Sequence, residues 1–268
     1  MTYEVGSKSF LEFLTRVTDK AGKVILGYSK GNLGVDLKDT RPGAIDIVTD
    51  ADRASEDIIV EAINREFPGH DILTEERSIE LKGSRWLWLV DPLDGTVNFA
   101  HGYPMFSVSI ALMDNGDLVA GMVYDPLKKE RFYAIRSGGA FLNDDPISVS
   151  GAARLQESIV STGFPYDKAY SQVNNIAEFS RALLRVQGMR RGGSAALDFA
   201  YVSCGRLDGF WEQKLKPWDM AAGMLLAQEA GGRVTDKSGN LTDVYTDFVI
   251  ATNGIIHDVL LQALKSDS

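Results

Sequence analysis

Trp88-Leu89-Val90-Asp91-Pro92-Leu93-Asp94-Gly95-Thr96-Val97-Asn98-Phe99 begins as an apolar run of strand length and ends in two acids three residues apart, followed by a glycine and a threonine where a helix can start. Pro92 has no amide hydrogen and a fixed φ, which stiffens the link between the acids. Both carboxylates and the Leu93 carbonyl can then converge on one centre. All-oxygen ligation of this kind suits a hard cation such as Mg²⁺, which keeps waters and shares its coordination with substrate phosphate. The Gly95 and Thr96 amides, at a helix start, are placed to receive a phosphate oxygen. A bare Asp-Gly pair is usually an ordinary tight turn; the full string is far more specific.

Working outward, Ile72-Leu73-Thr74-Glu75-Glu76 sets a second strand end directly before two acids, and Trp218-Asp219 opens an apolar helix. Asp219 reads equally well as a helix-terminal acid favoured by the dipole, and the glutamates as surface residues. Phe10, Leu14, Val17, Ala21, Val24 or Ile25, and Tyr28 predict an amphipathic opening helix. Residues 30–43 break that pattern and read as a loop or mobile hairpin. A second helix follows, capped by Thr49 or Asp50, with Ala54, Ile58, Ala62 and Phe67 on one face. Runs at 86–90, 106–113, 118–124 and 131–135 predict strands, three of them in an antiparallel meander with Asn115-Gly116 as a turn. Beyond Gly151, strands at 158–162, 207–212 and 248–251 alternate with helices at about 172–186, 194–205, 218–230 and 255–264. Helices and sheets therefore stack in layers.

The 268 residues suffice for a large core, and 44% hydrophobic with 24% charged residues is a globular composition. The expected organisation is a single domain of two intimately packed halves, about 1–150 with the acidic turn and 151–268. A net charge of −9 argues against a nucleic-acid surface, which needs clustered Lys and Arg. Divalent cations would reverse that sign locally for a phosphorylated substrate. No signal peptide and no membrane-length apolar run are seen, and a single cysteine, Cys204, precludes an internal disulfide. The expected location is cytoplasmic. His70, His101 and His257 lie far apart in zinc-unlike spacing.

Four segments in order, Asp46-Ile-Val-Thr49-Asp50-Ala-Asp52, Thr74-Glu75-Glu76, Trp88 to Phe99 and Trp218-Asp219-Met-Ala-Ala-Gly223, resemble the inositol monophosphatase family. The resemblance implies an α/β chain of alternating helical layers and mixed or antiparallel sheets, an αβαβα sandwich of the sugar-phosphatase kind. It implies that Glu75, Asp91 and the Leu93 carbonyl hold one Mg²⁺, that Asp91, Asp94 and Asp219 hold a second, and that Glu75 reaches a third through water. It further implies direct attack of a metal-activated water on phosphorus, positioned by Glu75 and Thr96, with Asp52 orienting Thr96. A homodimer and inhibition by lithium belong to the same expectation.

On the substrate side the resemblance adds Leu93, Asp94, Gly95, Thr96, Arg191, Ser194, Ala195, Glu212 and Asp219. A carboxylate at Glu212 accepts hydrogen bonds from vicinal hydroxyls and is poor at holding a second phosphate, which tilts the reading to myo-inositol 1-phosphate. Fructose 1,6-bisphosphate is the runner-up, with 3′-phosphoadenosine-type nucleotides and histidinol phosphate behind it. From another class, the chain could serve mainly as a scaffold in a larger complex. Thr74 departs from the glycine of many relatives, Lys38 is a candidate active-site lysine at an unexpected spacing, and the role of Gly163-Phe164-Pro165-Tyr166 is open. As a metal ligand on an exposed cleft, Asp94 is expected to be replaceable by Asn without harm to the fold.

Overall fold

The computed structural model describes residues 4–29, 34–38, 45–77 and 80–265. In chain order these form α1 (Lys8–Tyr28), β1 (Val35–Leu37), β2 (Ile47–Thr49), α2 (Asp50–Glu66), β3 (Asp71–Thr74), β4 (Trp86–Asp94), α3 (Thr96–Ala100), β5 (Ser107–Asp114), β6 (Asp117–Asp125), β7 (Glu130–Ile135), β8 (Gly139–Leu142) and β9 (Asp145–Pro146). There follow β10 (Ile159–Thr162), α4 (Ile176–Leu183), β11 (Gly188–Arg190), α5 (Ala195–Ser203), β12 (Gly209–Gln213), α6 (Pro217–Glu229), β13 (Arg233–Thr235), β14 (Phe248–Thr252) and α7 (His257–Leu264).

Two sheets are stacked between helices. The larger has seven strands in chain order from β3 to β9, antiparallel except for the parallel pair β3 and β4. The smaller has five, in the order β11-β10-β12-β14-β13. β4 shows how the layers are made. Its alternate residues Trp88 and Val90 pack with Phe10, Phe13 and Val17 of α1 and Ile59 and Ile63 of α2, whereas Leu89 points into the cluster of α5 and α6. That cluster joins Ala111 and Val123 of the large sheet to Phe210, Val249 and Ala251 of the small one. On the far side of the small sheet, Val160, Trp211 and Ile250 pack on Leu260 and Leu261 of α7 and Ala182 of α4. The order is helix, sheet, helix, sheet, helix, as the resemblance implied.

Between α5 and α6 the approach is closer than any side chain allows. A Cβ built on Gly223 would lie 2.4 Å from Phe199 Cβ, so only glycine fits at that crossing.

Several sequence-based boundaries shift. Ile25, not Val24, is the buried member of the last turns of α1; of the expected α2 face Ala62 and Phe67 are buried, whereas Ala54 and Ile58 are half-buried and Ile59 and Ile63 take the interior beside them. Thr49 caps α2 with its side chain. All four runs from 86 to 135 join the antiparallel stretch, which extends the expected meander. The fourth helix is confined to Ile176–Leu183, because Val173 and Asn174 enter through side-chain-bonded turns. Within the segment read as a loop, Val35–Leu37 pairs antiparallel with Ile47–Thr49; Lys30, Gly31, Pro42 and Gly43 lie outside the described residues. Among the described residues no helix is long and apolar enough to cross a membrane.

His257 opens α7 fully buried, its Nδ1 2.9 Å from Thr252 Oγ1 on β14 and its Nε2 2.9 Å from Thr235 Oγ1 on β13. Burial, with Arg233 nearby, pushes its pKa down to about 4. A depressed value means that the unfolded chain takes up a proton which the folded chain refuses. The resulting stabilisation is full above the unfolded value, roughly pH 6.5, and is lost as pH falls toward the folded one. We expect urea midpoints measured from pH 7 to pH 4 to fall less steeply for His257→Gln than for the parent chain.

Candidate active site

One cavity of about 490 Å³ collects residues at the ends of β1, β3, β4, α3, α5, β12 and α6. β4 supplies its floor through an irregularity. Asp91 pairs with Ser109 but Asp94 with Ser107, three steps on one strand against two on the other. Residues three apart on a regular strand face opposite ways; the extra residue of the bulge returns both acids to one side. Gly95 then takes a left-handed φ of 93°, and a Cβ there would sit 2.9 Å from Met105 O, so the exit from β4 requires glycine.

The parallel register of β3 and β4 sets Thr74 opposite Val90, which brings Glu75 alongside Asp91. Thr74 donates its hydroxyl to buried Glu56 Oε1 at 2.6 Å, and the Glu76 amide donates to the same oxygen at 3.1 Å. The turn carrying Glu75 is thereby held by side-chain bonds. Asp219 arrives on the first turn of α6, where its Oδ2 accepts the Lys216 amide at 2.7 Å. The capping reading of Asp219 is met, and the residue also belongs to the acidic cluster. Glu75, Asp91 and Asp219 present carboxylate oxygens within 4.8 Å of one another. Burial first, then the repulsion of Glu75, pushes Asp91 and Asp219 well above the usual carboxylate range.

Asp94 stands apart from that trio. Its carboxylate accepts the Ala195 and Ala196 amides at 3.1 and 3.0 Å and the Ser194 hydroxyl, closing the N-terminus of α5. Burial pushes its pKa up to about 6 against those bonds. The expectation that Asp94 contributes little to the fold therefore needs correction, since it anchors a central helix. Ser107, on an apolar strand with no sequence signal, adds a hydroxyl 3.3 Å from Asp94 Oδ2.

Thr96 Oγ1 lies 2.8 Å from Asp52 Oδ1 and 3.0 Å from Leu93 O. Asp52 Oδ2 in turn accepts the Thr49 amide at 2.8 Å and the Thr49 hydroxyl at 2.5 Å. Burial raises the Asp52 pKa although these bonds oppose it. Lys38, at the end of β1, reaches Glu75 at 2.5 Å and Glu76 at 2.6 Å. Burial disfavours its charge, but the attraction of the two glutamates prevails and keeps the ammonium protonated far up the pH scale. Burial also drives Glu76 up to about 7.

Leu93, Gly95, Arg191, Ala195, Glu212 and Tyr166 line the same cavity, while Ser194 turns from it into Asp94. Burial pushes Glu212 up to about 8, against the pull of Arg191. No histidine joins the acidic group among the described residues, and Cys204 packs half-buried against the central core.

The model of the family described as "Inositol monophosphatase family" matches residues 7–268. The chain belongs to the inositol monophosphatase family. Its members are phosphatases, and the relatives bear this out: an inositol-1-monophosphatase of Mesorhizobium japonicum is 46% identical over 87% of both chains. A fructose-1,6-bisphosphatase/inositol-1-monophosphatase of Thermotoga maritima is 40% identical over 95% of both. A Nus factor SuhB of Pasteurella multocida is 41% identical over 90% of both. The solved inositol monophosphatase of Anabaena superposes with a TM-score of 0.86 at 43% identity, covering 96% of this chain and 95% of the other. An IMPase/NADP phosphatase solved with Mg²⁺ and phosphate superposes at 0.81 with 25% identity, covering 97% and 95%.

The two kinds of acid predict opposite responses. In chelator, Asp94→Ala should lower stability by about 1–2 kcal/mol, the worth of a helix cap, while Asp91→Asn should hold or raise it by relieving repulsion. Thermal melts of both variants check this, and equal losses would refute the division.

Proposed function

We propose that the chain hydrolyses a phosphate monoester with Mg²⁺, and that its substrate is myo-inositol 1-phosphate, released as myo-inositol and phosphate. The observation that carries the reading is the convergence of Glu75, Asp91 and Asp219 beside the Gly95-Thr96 turn, in one cavity with Glu212.

The donor set fits the metal. Three carboxylates crowded within 4.8 Å, with Asp91 and Asp219 pushed toward protonation, are relieved by positive charge, and the Lys38 ammonium already stands on Glu75 as a cation in that place. Glu75, Asp91, Asp219 and the Leu93 carbonyl would hold Mg²⁺, with Asp94 reaching a second ion from its capping position. When bound, such ions neutralise phosphate charge and lower the pKa of water. The chain supplies the rest. With its hydroxyl hydrogen given to Asp52, Thr96 Oγ1 turns lone pairs toward the cavity and orients a water against Glu75. Gly95 and Thr96 amides take a phosphate oxygen. Glu212 receives the hydroxyls of the leaving polyol, which a carboxyl group can do in either protonation state.

A second reading, fructose 1,6-bisphosphate hydrolysis, is favoured by the Thermotoga relative, whose name carries both activities.

A panel of phosphate esters at fixed Mg²⁺ should rank myo-inositol 1-phosphate first in kcat/KM, with activity abolished by chelator. Preference for fructose 1,6-bisphosphate would replace the first reading by the second. Thr96→Val should lower kcat by about 100-fold or more, the scale of a lost proton-orienting group, and lower stability by about 1–3 kcal/mol, because buried Asp52 Oδ1 loses its donor.

A further inference from the structure

The polyol end of the cavity is built where two parallel strands leave the small sheet. β10 and β12 pair with Thr162 opposite Trp211, so the residues that follow, Gly163 and Glu212, stand side by side. Their contact is tight: a Cβ on Gly163 would lie 2.0 and 2.1 Å from the two oxygens of Glu212. The Glu212 carboxylate therefore rests on the bare backbone of Gly163. Among the described residues its surroundings act on it through burial and through the charges of Arg191 and Asp94, with no hydrogen bond to it. Packing on Gly163 and the pull of Arg191 aim this carboxylate, and its lone pairs stay free for a ligand.

Gly163 is itself held by a side chain well away in sequence. Asn175, fully buried and left-handed at φ 66° just before α4, donates from Nδ2 to Gly163 O at 2.6 Å and to Thr162 Oγ1 at 2.7 Å. Its Oδ1 accepts Trp211 Nε1 at 2.8 Å, and Thr162 Oγ1 donates to Trp211 O at 2.5 Å. One amide thus ties Gly163 to Trp211, the residue before Glu212, and locks the two strand exits together.

We propose that Gly163 and Asn175 are positioning residues that set substrate preference through Glu212. Gly163 leaves the space in which the carboxylate lies, and Asn175 fixes the distance between Gly163 and the Glu212 backbone. The inference rests on the reading of Glu212 as the acceptor for substrate hydroxyls. Adding one methyl at Gly163 would drive the carboxylate about 1 Å or more from its place, a displacement large enough to lose hydrogen bonds to a ring of fixed hydroxyls. Since only the far end of a flexible side chain must move, the fold accommodates that methyl.

The test compares kcat/KM for myo-inositol 1-phosphate with that for phenyl phosphate, whose leaving group carries no further hydroxyl, at fixed Mg²⁺. The parent chain, E212A, G163A, N175G and the G163A/E212A double variant are measured; glycine at 175 keeps the left-handed backbone open. E212A, G163A and N175G should each lower the inositol-to-phenyl ratio by about tenfold or more, the worth of a well-made hydrogen bond, chiefly through KM for the inositol ester. In the E212A background G163A should lower that ratio no further. A G163A variant that slows both esters alike, or whose effect on the ratio persists without Glu212, overturns the proposal while leaving Glu212 as the hydroxyl acceptor. Should E212A leave the ratio intact, the hydroxyl reading falls and this one with it. If N175G does not fold, the G163A pair decides alone.

Discussion

Like charges brought together in a cavity repel, and the fold spends its most rigid parts on holding them there. Asp91 and Asp94 sit on β4, the buried second strand of the large sheet, Asp219 on the first turn of a helix packed between both sheets, and Glu75 on a strand end braced by Glu56. None of these backbones can relax away from the others without disturbing buried structure. The repulsion is instead offset locally, by amides and a hydroxyl at Asp94, by an amide at Asp219 and by the Lys38 ammonium at Glu75. Protonation of Asp91 and Asp219 relieves part of what is left, and a bound cation, as proposed above, would relieve the rest.

The acids thereby divide by attachment. Asp94 and Asp219 are held at helix starts in the middle layer, where side chains from both sheets meet. Lys38 is carried on a two-stranded ribbon whose outer strand Val35–Leu37 is exposed. Those two acids are mounted on the core, and the ammonium that pairs with Glu75 is mounted at the edge.

Much of this arrangement was legible in the residues. The apolar run ending in Asp91 and Asp94 marks a strand leaving a sheet, and the helical spacing from Phe10 to Ile25 marks the opening helix, because in both the pattern of burial is local. The bulge between Asp91 and Asp94 was not legible, since it is defined by the partner strand and not by Pro92. Asp94 as the anchor of α5 escaped for the same reason: its donors lie about a hundred residues on. Asn175 carries no sequence signal at all. A buried asparagine in a left-handed turn looks like any loop asparagine until Trp211 and Gly163 are set beside it. The first half of the α2 face, Ala54 and Ile58, was misplaced by one position because the helix buries Asp52, Ser55 and Glu56 along with its apolar residues, and a hydrophobic count does not see them.

The crossing at Gly223 and Phe199 ties these threads to mechanics. Each of the two helices bears a cavity acid or its anchor one turn above that crossing: Asp219 on one, the Ser194 to Ala196 cradle of Asp94 on the other. With backbone pressed against an aromatic side chain and no slack between them, the pair behaves as a single strut, and the spacing between the two carboxylates becomes a property of an apolar joint. A methyl group introduced there, against Phe199, would act as a wedge that retunes the jaw of the site.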